Sequence, residues 1–486
     1  MSSISFYLAA LLTLSSSSVV CNAAEYLSSS EKIEYRRQAT PKRIRISDYP
    51  VIGRSKSLVL LVDFNDVRFS TLPDAYSYFN GMLNEEGFRY ENGADGSARD
   101  YYLASSAGNF DPDFVVVGPI TLPKDRAAYG ADDEGWLDLR GHEMVVDACV
   151  IADSTIDFRD FDLDADGEVD NVYVFYAGYG QADTMEPDAL WPQSNMLHTN
   201  KDVDLILDGV RINHYAYSNE LRYEGNSNPP MPVGIGTFVH EFGHVLGISD
   251  HYDSTFAGHR PGVDNWDTMA AANYFNNMHT PPLFSAFERG ELGWLTYSDL
   301  TGVHNGDIVT LPPLDESNMA YRVSVAGNGG NEYFILENRR QRGWDTYLPG
   351  EGMIVWHIDM DEDAWLSNNV NTDPSHNRVD IVEADGYESL NNLAGDPFPG
   401  KRNVREFDFT DWNGNRVFSI ADLVEDEEEN ISFRFSSTEF THVNDIESVN
   451  SSNLQIYDFT GQPVDSSYQG LVIAVYPDGT TRKFRQ

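Results

Sequence analysis

Apolar and polar positions along this chain change rhythm twice. Ser57-Leu58-Val59-Leu60-Leu61-Val62-Asp63-Phe64 is almost unbroken in apolar character, which fits a buried strand covered on both faces. Asn109-Phe110 through Asp113-Phe114-Val115-Val116-Val117 and then Val172 to Ala177 predict two more strands. Between them, Trp136 to Ala152 carries apolar residues at helical spacing, with Gly141 weakening its first turns. Phe238 to Leu246 predicts another helix, entered through the apolar, glycine-punctuated run Val233 to Val239. Strands alternating with helices to about residue 300 predict an α/β (α+β) domain with helices packed on a sheet. No repeat of fixed period is visible. Beyond residue 300 the runs shorten to Tyr321–Val325, Tyr333–Glu337, Gly352–His357 and Ile431–Phe435, the texture of a β-rich C-terminal domain. Leu454–Gly461 and Gly470–Tyr476 predict a last pair of strands.

The Phe238–Leu246 helix also carries the candidate chemistry. His240 and His244 lie one turn apart and share a face, so two imidazoles can aim at one point. Imidazole suits zinc, and a catalytic zinc takes three protein ligands plus a water. Glu241 stands between them, within reach of that water as a general base. Gly247 can adopt a left-handed conformation, stop the helix and bring Asp250 back as an oxygen ligand. The adjacent His251, or Glu288 or Glu291 on a later helix, are the other candidates for third ligand. His, Glu and His at these three positions arise by chance in a chain this long about 2% of the time. Requiring Gly247 and Asp250 as well lowers this to on the order of one in ten thousand, so an incidental pair of surface histidines is the weaker reading.

Separate segments then carry a family resemblance. They include Val59 to Asp66, Gly96-Ser97-Ala98-Arg99-Asp100-Tyr101-Tyr102, Asp170 to Val174, Trp266-Asp267-Thr268-Met269, Leu292-Gly293-Trp294-Leu295, Leu336-Glu337-Asn338-Arg339 and Gly352 to Asp359. Over residues 56 to 436 the chain resembles the immune inhibitor A-type secreted bacterial metalloproteases of the metzincin clan. The resemblance implies a metzincin-like catalytic domain with a long zinc-binding helix. It also implies zinc endopeptidase activity on protein or peptide substrates, with Glu241 as base and a methionine turn, here Met269, beneath the metal. An adhesion or surface-binding protein with a degenerate zinc site is the alternative from another class.

Charge narrows the partners. With 33 basic against 77 acidic side chains the net charge is −44, which repels nucleic acid and favours hard cations such as calcium. Asp162-Leu163-Asp164-Ala165-Asp166-Gly167-Glu168-Val169-Asp170 reads as the opening of a calcium loop, with Gly167 at its bend. Tyr173 stands where a closing glutamate belongs, so Asp170 or a distant carboxylate must close it, or the segment is a solvated acidic turn.

The ends read as export signals. Residues 1–23 form an apolar leader with a cleavage position after Ala23, too short to span a bilayer. Lipid attachment at Cys21 is the other route, placing the protein at the cell surface instead of free outside. No other stretch is long and apolar enough to be a transmembrane helix. Residues 24–56 hold eight of the 33 basic residues, as a linker or short propeptide. A catalytic domain over 57–300, a β-rich domain over 301–436 and a small β module over 437–486 follow. The last resembles modules recognised by secretion machinery. Cys149 in its apolar run reads as a small core hydrophobe. Glu337, Arg339 and His357 read as core hydrogen-bonding groups, and Tyr274 as a packed tyrosine, with an oxyanion role as the alternative.

Overall fold

Leu58, Leu60 and Val62 face one side of the first strand and Val59 and Leu61 the other, and all five are fully buried. That is the strand the apolar run predicts, and the architecture grows from it. The structure, a computed structural model, describes residues 47–437 other than 72, 133–137, 139, 224–229, 256–261, 301–302, 328 and 374. It also describes 455–458, 462, 471–475 and 481–485. The expected leader and residues 24–46 of the basic segment lie outside these, as does the expected helix start at Trp136.

Strand Gly53–Asp63 pairs in parallel with Phe110–Thr121 on one side and Val172–Tyr179 on the other. Strand His214–Arg222 continues the parallel order, and Gln193–Met196 closes the sheet antiparallel at its edge. The short Met231–Pro232 also pairs with His214–Arg222. Helices cover both faces. Ala75–Asn84, Ala98–Ser105 and Gly236–Val245 bury Phe79, Tyr102, Phe238 and Phe242 against Val59, Phe114 and Phe175. Helix Gly141–Ala152 packs Met144, Val145 and Cys149 on the opposite face, so Cys149 is a buried hydrophobe. Among the described residues that helix starts at Gly141. Tyr217 fills the space a side chain at 141 would need.

The later part is built from two antiparallel-rich sheets. Ser298–Asp299, Tyr321–Ser324, Glu332–Arg339, Gly352–Asp359 and Val379–Ile381 form five strands. Ile308–Leu311, Ile431–Ser437, Arg416–Glu425 and Phe407–Thr410 form four. One face of the five-stranded sheet buries Tyr333, Ile335 and Trp356 against Val263, Trp266 and Phe287. The other buries Phe334, Leu336 and Val355 against Phe418, Phe433 and Phe435. The apolar core is therefore continuous across residue 300. At the end of the chain, Gln455–Asp458, Leu471–Val475 and Thr481–Arg485 pair antiparallel, one strand more than the hydrophobic pattern suggests. No helix among the described residues is long and apolar enough to cross a membrane.

Candidate metal centre

The helix Gly236–Val245 lies against the sheet through Phe238 and Phe242, which leaves His240, Glu241 and His244 toward the cleft. It ends as a left-handed glycine demands. Gly247 has φ +96, its N–H donates to His244 O and Ile248 N–H donates to Gly243 O, the paired bonds of a Schellman motif. The reversal carries Asp250 back over the helix face. Its Oδ1 lies 3.3 Å from His240 Nε2 and 3.2 Å from His244 Nε2. These three ligand atoms all fall within 4.8 Å of one another.

Each imidazole is oriented by its other nitrogen. His240 Nδ1 meets Thr268 O at 2.9 Å and His244 Nδ1 meets Ile248 O at 2.8 Å. A carbonyl can only accept, so Nδ1 carries the proton and Nε2 presents its lone pair. Asp250 is oriented too: Asn368 Nδ2 donates to Oδ2 at 2.6 Å, and Asp250 N–H donates to Asn368 Oδ1 at 2.8 Å. Oδ1 has no hydrogen-bond partner. Two lone pairs and an orphaned buried carboxylate oxygen converging on one point fit a divalent metal.

The charges agree with that reading. Without a cation, burial alone would depress His244, but the Asp250 carboxylate outweighs it and pushes the imidazole up to about 9. Asp250 is itself held well below the usual carboxylate range, because the two imidazoles outweigh its burial. Burial raises Glu241 above the ordinary glutamate value, the direction that makes a carboxylate a better proton acceptor.

Two hollows that share His240 and Glu241 in their walls open over these groups. One of about 540 Å³ is lined by His240, Glu241, His244, Asp250, the edge strand Gln193–Met196 and Asn368. One of about 240 Å³ is lined by Thr237, His240, Glu241, Ala270, Asn273 and Tyr274. Tyr274 is 49% exposed at that wall, which corrects its reading as a packed tyrosine. It sits five residues after Met269. Tyr252, which the hydrophobic pattern gives no reason to single out, lines both hollows.

Met269 lies under the helix, its sulfur against Gly243. The turn that carries it is held by Asp267, which accepts from Met269 N–H at 2.6 Å. His251 is drawn to the same carboxylate at 2.7 Å and, with Glu288, forms a separate buried cluster. Two of the other third-ligand candidates therefore stand together away from His240 and His244, and Glu291 belongs to neither cluster. Arg339 is buried between Glu337 and Asp345, and His357 meets Glu332 at 2.9 Å, which keeps all three of these expected core groups in the core.

In the acidic loop, Asp162, Asp164 and Asp166 bring carboxylate oxygens within 4.8 Å of one another. Gly167 makes the bend at φ +93. Glu168 does not join them, because Arg211 and Asn213 hold its carboxylate, each at 3.2 Å. Asp170 closes the loop by accepting from Leu163 N–H at 2.7 Å.

A trio that could hold a metal, beside a buried carboxylate on the floor of a cleft, has the make-up of a metallopeptidase-type site. Residues 52–292 match the catalytic domain of the immune inhibitor A (M6) peptidases, so this stretch carries a domain of that family. It is 26% identical over 269 residues to immune inhibitor A of Bacillus thuringiensis subsp. alesti, covering 48% of this chain and 39% of that protein. It is 24% identical over 309 residues to the pre-pro-metalloprotease PrtV of Vibrio cholerae serotype O1, covering 54% and 33%. The chain thus spans well under half the length of these curated relatives.

Proposed function

We propose that the protein is an exported zinc-dependent endopeptidase of metzincin type, with His240, His244 and Asp250 as ligands and Glu241 as general base. The observation that carries this reading is the convergence of two oriented Nε2 lone pairs and the unpartnered Asp250 Oδ1. A zinc ion held by these three residues would supply a polarising charge and would bring a water's acidity toward neutral pH. Glu241 takes the proton of the attacking water and returns it to the departing amine. Its burial keeps it free of competing solvent and raises its basicity.

The substrate reading rests on the edge strand. Gln193–Met196 ends its sheet and lines the larger hollow, so an extended peptide can add alongside it through main-chain hydrogen bonds. The smaller hollow beyond Glu241 suits a substrate side chain. The leader pattern of 1–23 supports export, and residues 437–486 form the module offered to secretion machinery. The catalytic domain spans 57–300 and the β-rich domain 301–436. The Asp162–Asp166 trio, closed by Asp170, serves as a calcium loop.

A quenched-peptide assay with chelator, then with zinc restored, tests the activity. Loss and recovery of cleavage is expected, and a protein that binds zinc but cleaves nothing is the adhesion alternative. Zinc content of Asp250→Ala, His251→Ala and Glu288→Ala tests the third ligand, with only the first expected to lose metal.

A further inference from the structure

The smaller hollow beyond Glu241 is apolar over most of its wall and acidic at one point. Trp191, Pro192, Ala270 and Met278 supply the apolar surface. Asp183 supplies the charge, and apart from Glu241 it is the only carboxylate among the described lining residues. No lysine or arginine stands among the described residues that line either hollow. Asp183 is held in place by the short helix Gln181–Thr184. Gln181 N–H donates to Leu190 O at 2.8 Å, Gln181 Nε2 to Asp132 Oδ2 at 2.6 Å and Thr184 Oγ1 to Gly180 O at 2.9 Å. The carboxylate is short of counter-charge. Its Oδ2 accepts from Tyr223 N–H at 3.3 Å, a long bond, and among the described residues no ion pair reaches it. Burial raises the Asp183 carboxyl above the ordinary aspartate range, outweighing the Tyr223 N–H and the charge of Arg222. Asn273, in the same lining, is 3% exposed and its Oδ1 has no partner, so a second acceptor in this wall lacks a donor.

A side chain with an apolar stem and donors at its tip fits such a hollow. Lysine and arginine have that build: their methylenes pack on apolar surface and their heads carry donors alone. Leucine or phenylalanine would match the apolar wall but would take Asp183 out of water without a partner, which is costly. Aspartate or glutamate would meet a like charge. A water needs about 10–15 Å³ of such space, so about 240 Å³ admits a long side chain. The net charge of −44 acts in the same direction at longer range, drawing in cationic peptides and repelling anionic ones. We propose that the protein cleaves beside basic residues, the smaller hollow taking a lysine or arginine side chain whose charge meets Asp183. Such specificity rests on the peptidase reading and names the class of substrate.

Digestion of a whole-proteome peptide library by the full chain should show lysine and arginine enriched at one position beside the cleaved bond. Peptides carrying Lys, Leu or Glu at that position are then compared on a single preparation, so that rate ratios do not depend on the folded fraction. The wild type should favour Lys over Leu at least about tenfold, the discrimination that one hydrogen bond to a charged group supplies. Asp183→Asn should bring that ratio close to one with zinc content unchanged. Asp183→Lys should reverse the order and favour Glu over Lys. Cleavage without basic enrichment, or an Asp183→Asn variant that keeps the wild-type ratio, would overturn the specificity and leave the peptidase reading standing. Cleavage of no peptide at all would overturn both.

Discussion

Asn368 gives the sharpest test of how the metal centre is held. It lies 118 residues beyond Asp250, outside the segment that matches the peptidase family, yet it both donates to and accepts from Asp250. Its φ is +52, so Asn368→Gly deletes the side chain without adding backbone strain. The deletion removes one hydrogen bond to a charged group, worth about 1.5–3 kcal/mol, and one between neutral groups, worth about 1. Asp250 is only 5% exposed, so water replaces these bonds poorly. Part of the loss falls on folding and part on the metal. Removing an outer partner of a ligand typically weakens metal binding 10- to 100-fold, or about 1.4–2.7 kcal/mol. Competition with a zinc chelator of known strength should show a weakening in that range, with peptide cleavage recovered at high zinc. Zinc affinity in Asn368→Gly equal to that of the wild type would refute the clamp and weaken the case for Asp250 as a ligand.

Three further outcomes follow from the same geometry. Gly243→Ala would set a methyl 2.5 Å from the Met269 sulfur. The clash, about 1–3 kcal/mol, should outweigh the helical gain of up to about 1. Denaturant unfolding should therefore show a less stable protein, and a more stable one contradicts the packing. Asp138 is pushed up to about 7, chiefly by burial, from an ordinary value near 3.8. The folded state thus holds a proton that the unfolded state releases. That stability is fully present below about pH 4 and is lost as pH rises through about 7. Asp138→Asn should remove on the order of a few kcal/mol of this pH dependence, and parallel stability curves between pH 5 and 7.5 would refute it. In the acidic loop, Asp164→Ala with Asp166→Ala should diminish the calcium-induced rise in melting temperature and leave zinc content unchanged. A full calcium response in that double variant makes the loop a solvated turn.

The parts of this site that were legible in the sequence are those written locally. His240, Glu241 and His244 are fixed by helical spacing, and Gly247 announces its own left-handed turn, so Asp250 could be placed from eleven consecutive residues. The unbroken apolar run at Leu58–Val62 likewise reads directly as a strand covered on both faces. What closes the site was not legible, because it arrives from distant segments. Thr268 orients His240 through a main-chain carbonyl that any residue would supply, and Asn368 is one of several polar residues in a polar stretch. Glu168 looked like part of the acidic loop, but Arg211 and Asn213, on and beside a strand some forty residues later, compete for it. The core shared by Trp266 and Trp356 across residue 300 has the same origin, since tertiary packing leaves no mark in a local hydrophobic pattern.

The account's central claim is that Glu241 moves the proton while His240, His244 and Asp250 hold the metal. Glu241→Gln keeps the shape and burial of the side chain but cannot accept that proton. Zinc content and cleavage of a whole-proteome peptide library, measured on the same preparation by mass spectrometry, separate the two roles. The account predicts full zinc occupancy with cleavage reduced on the order of 10²- to 10⁴-fold. Full occupancy with cleavage within a few-fold of the wild type would contradict it.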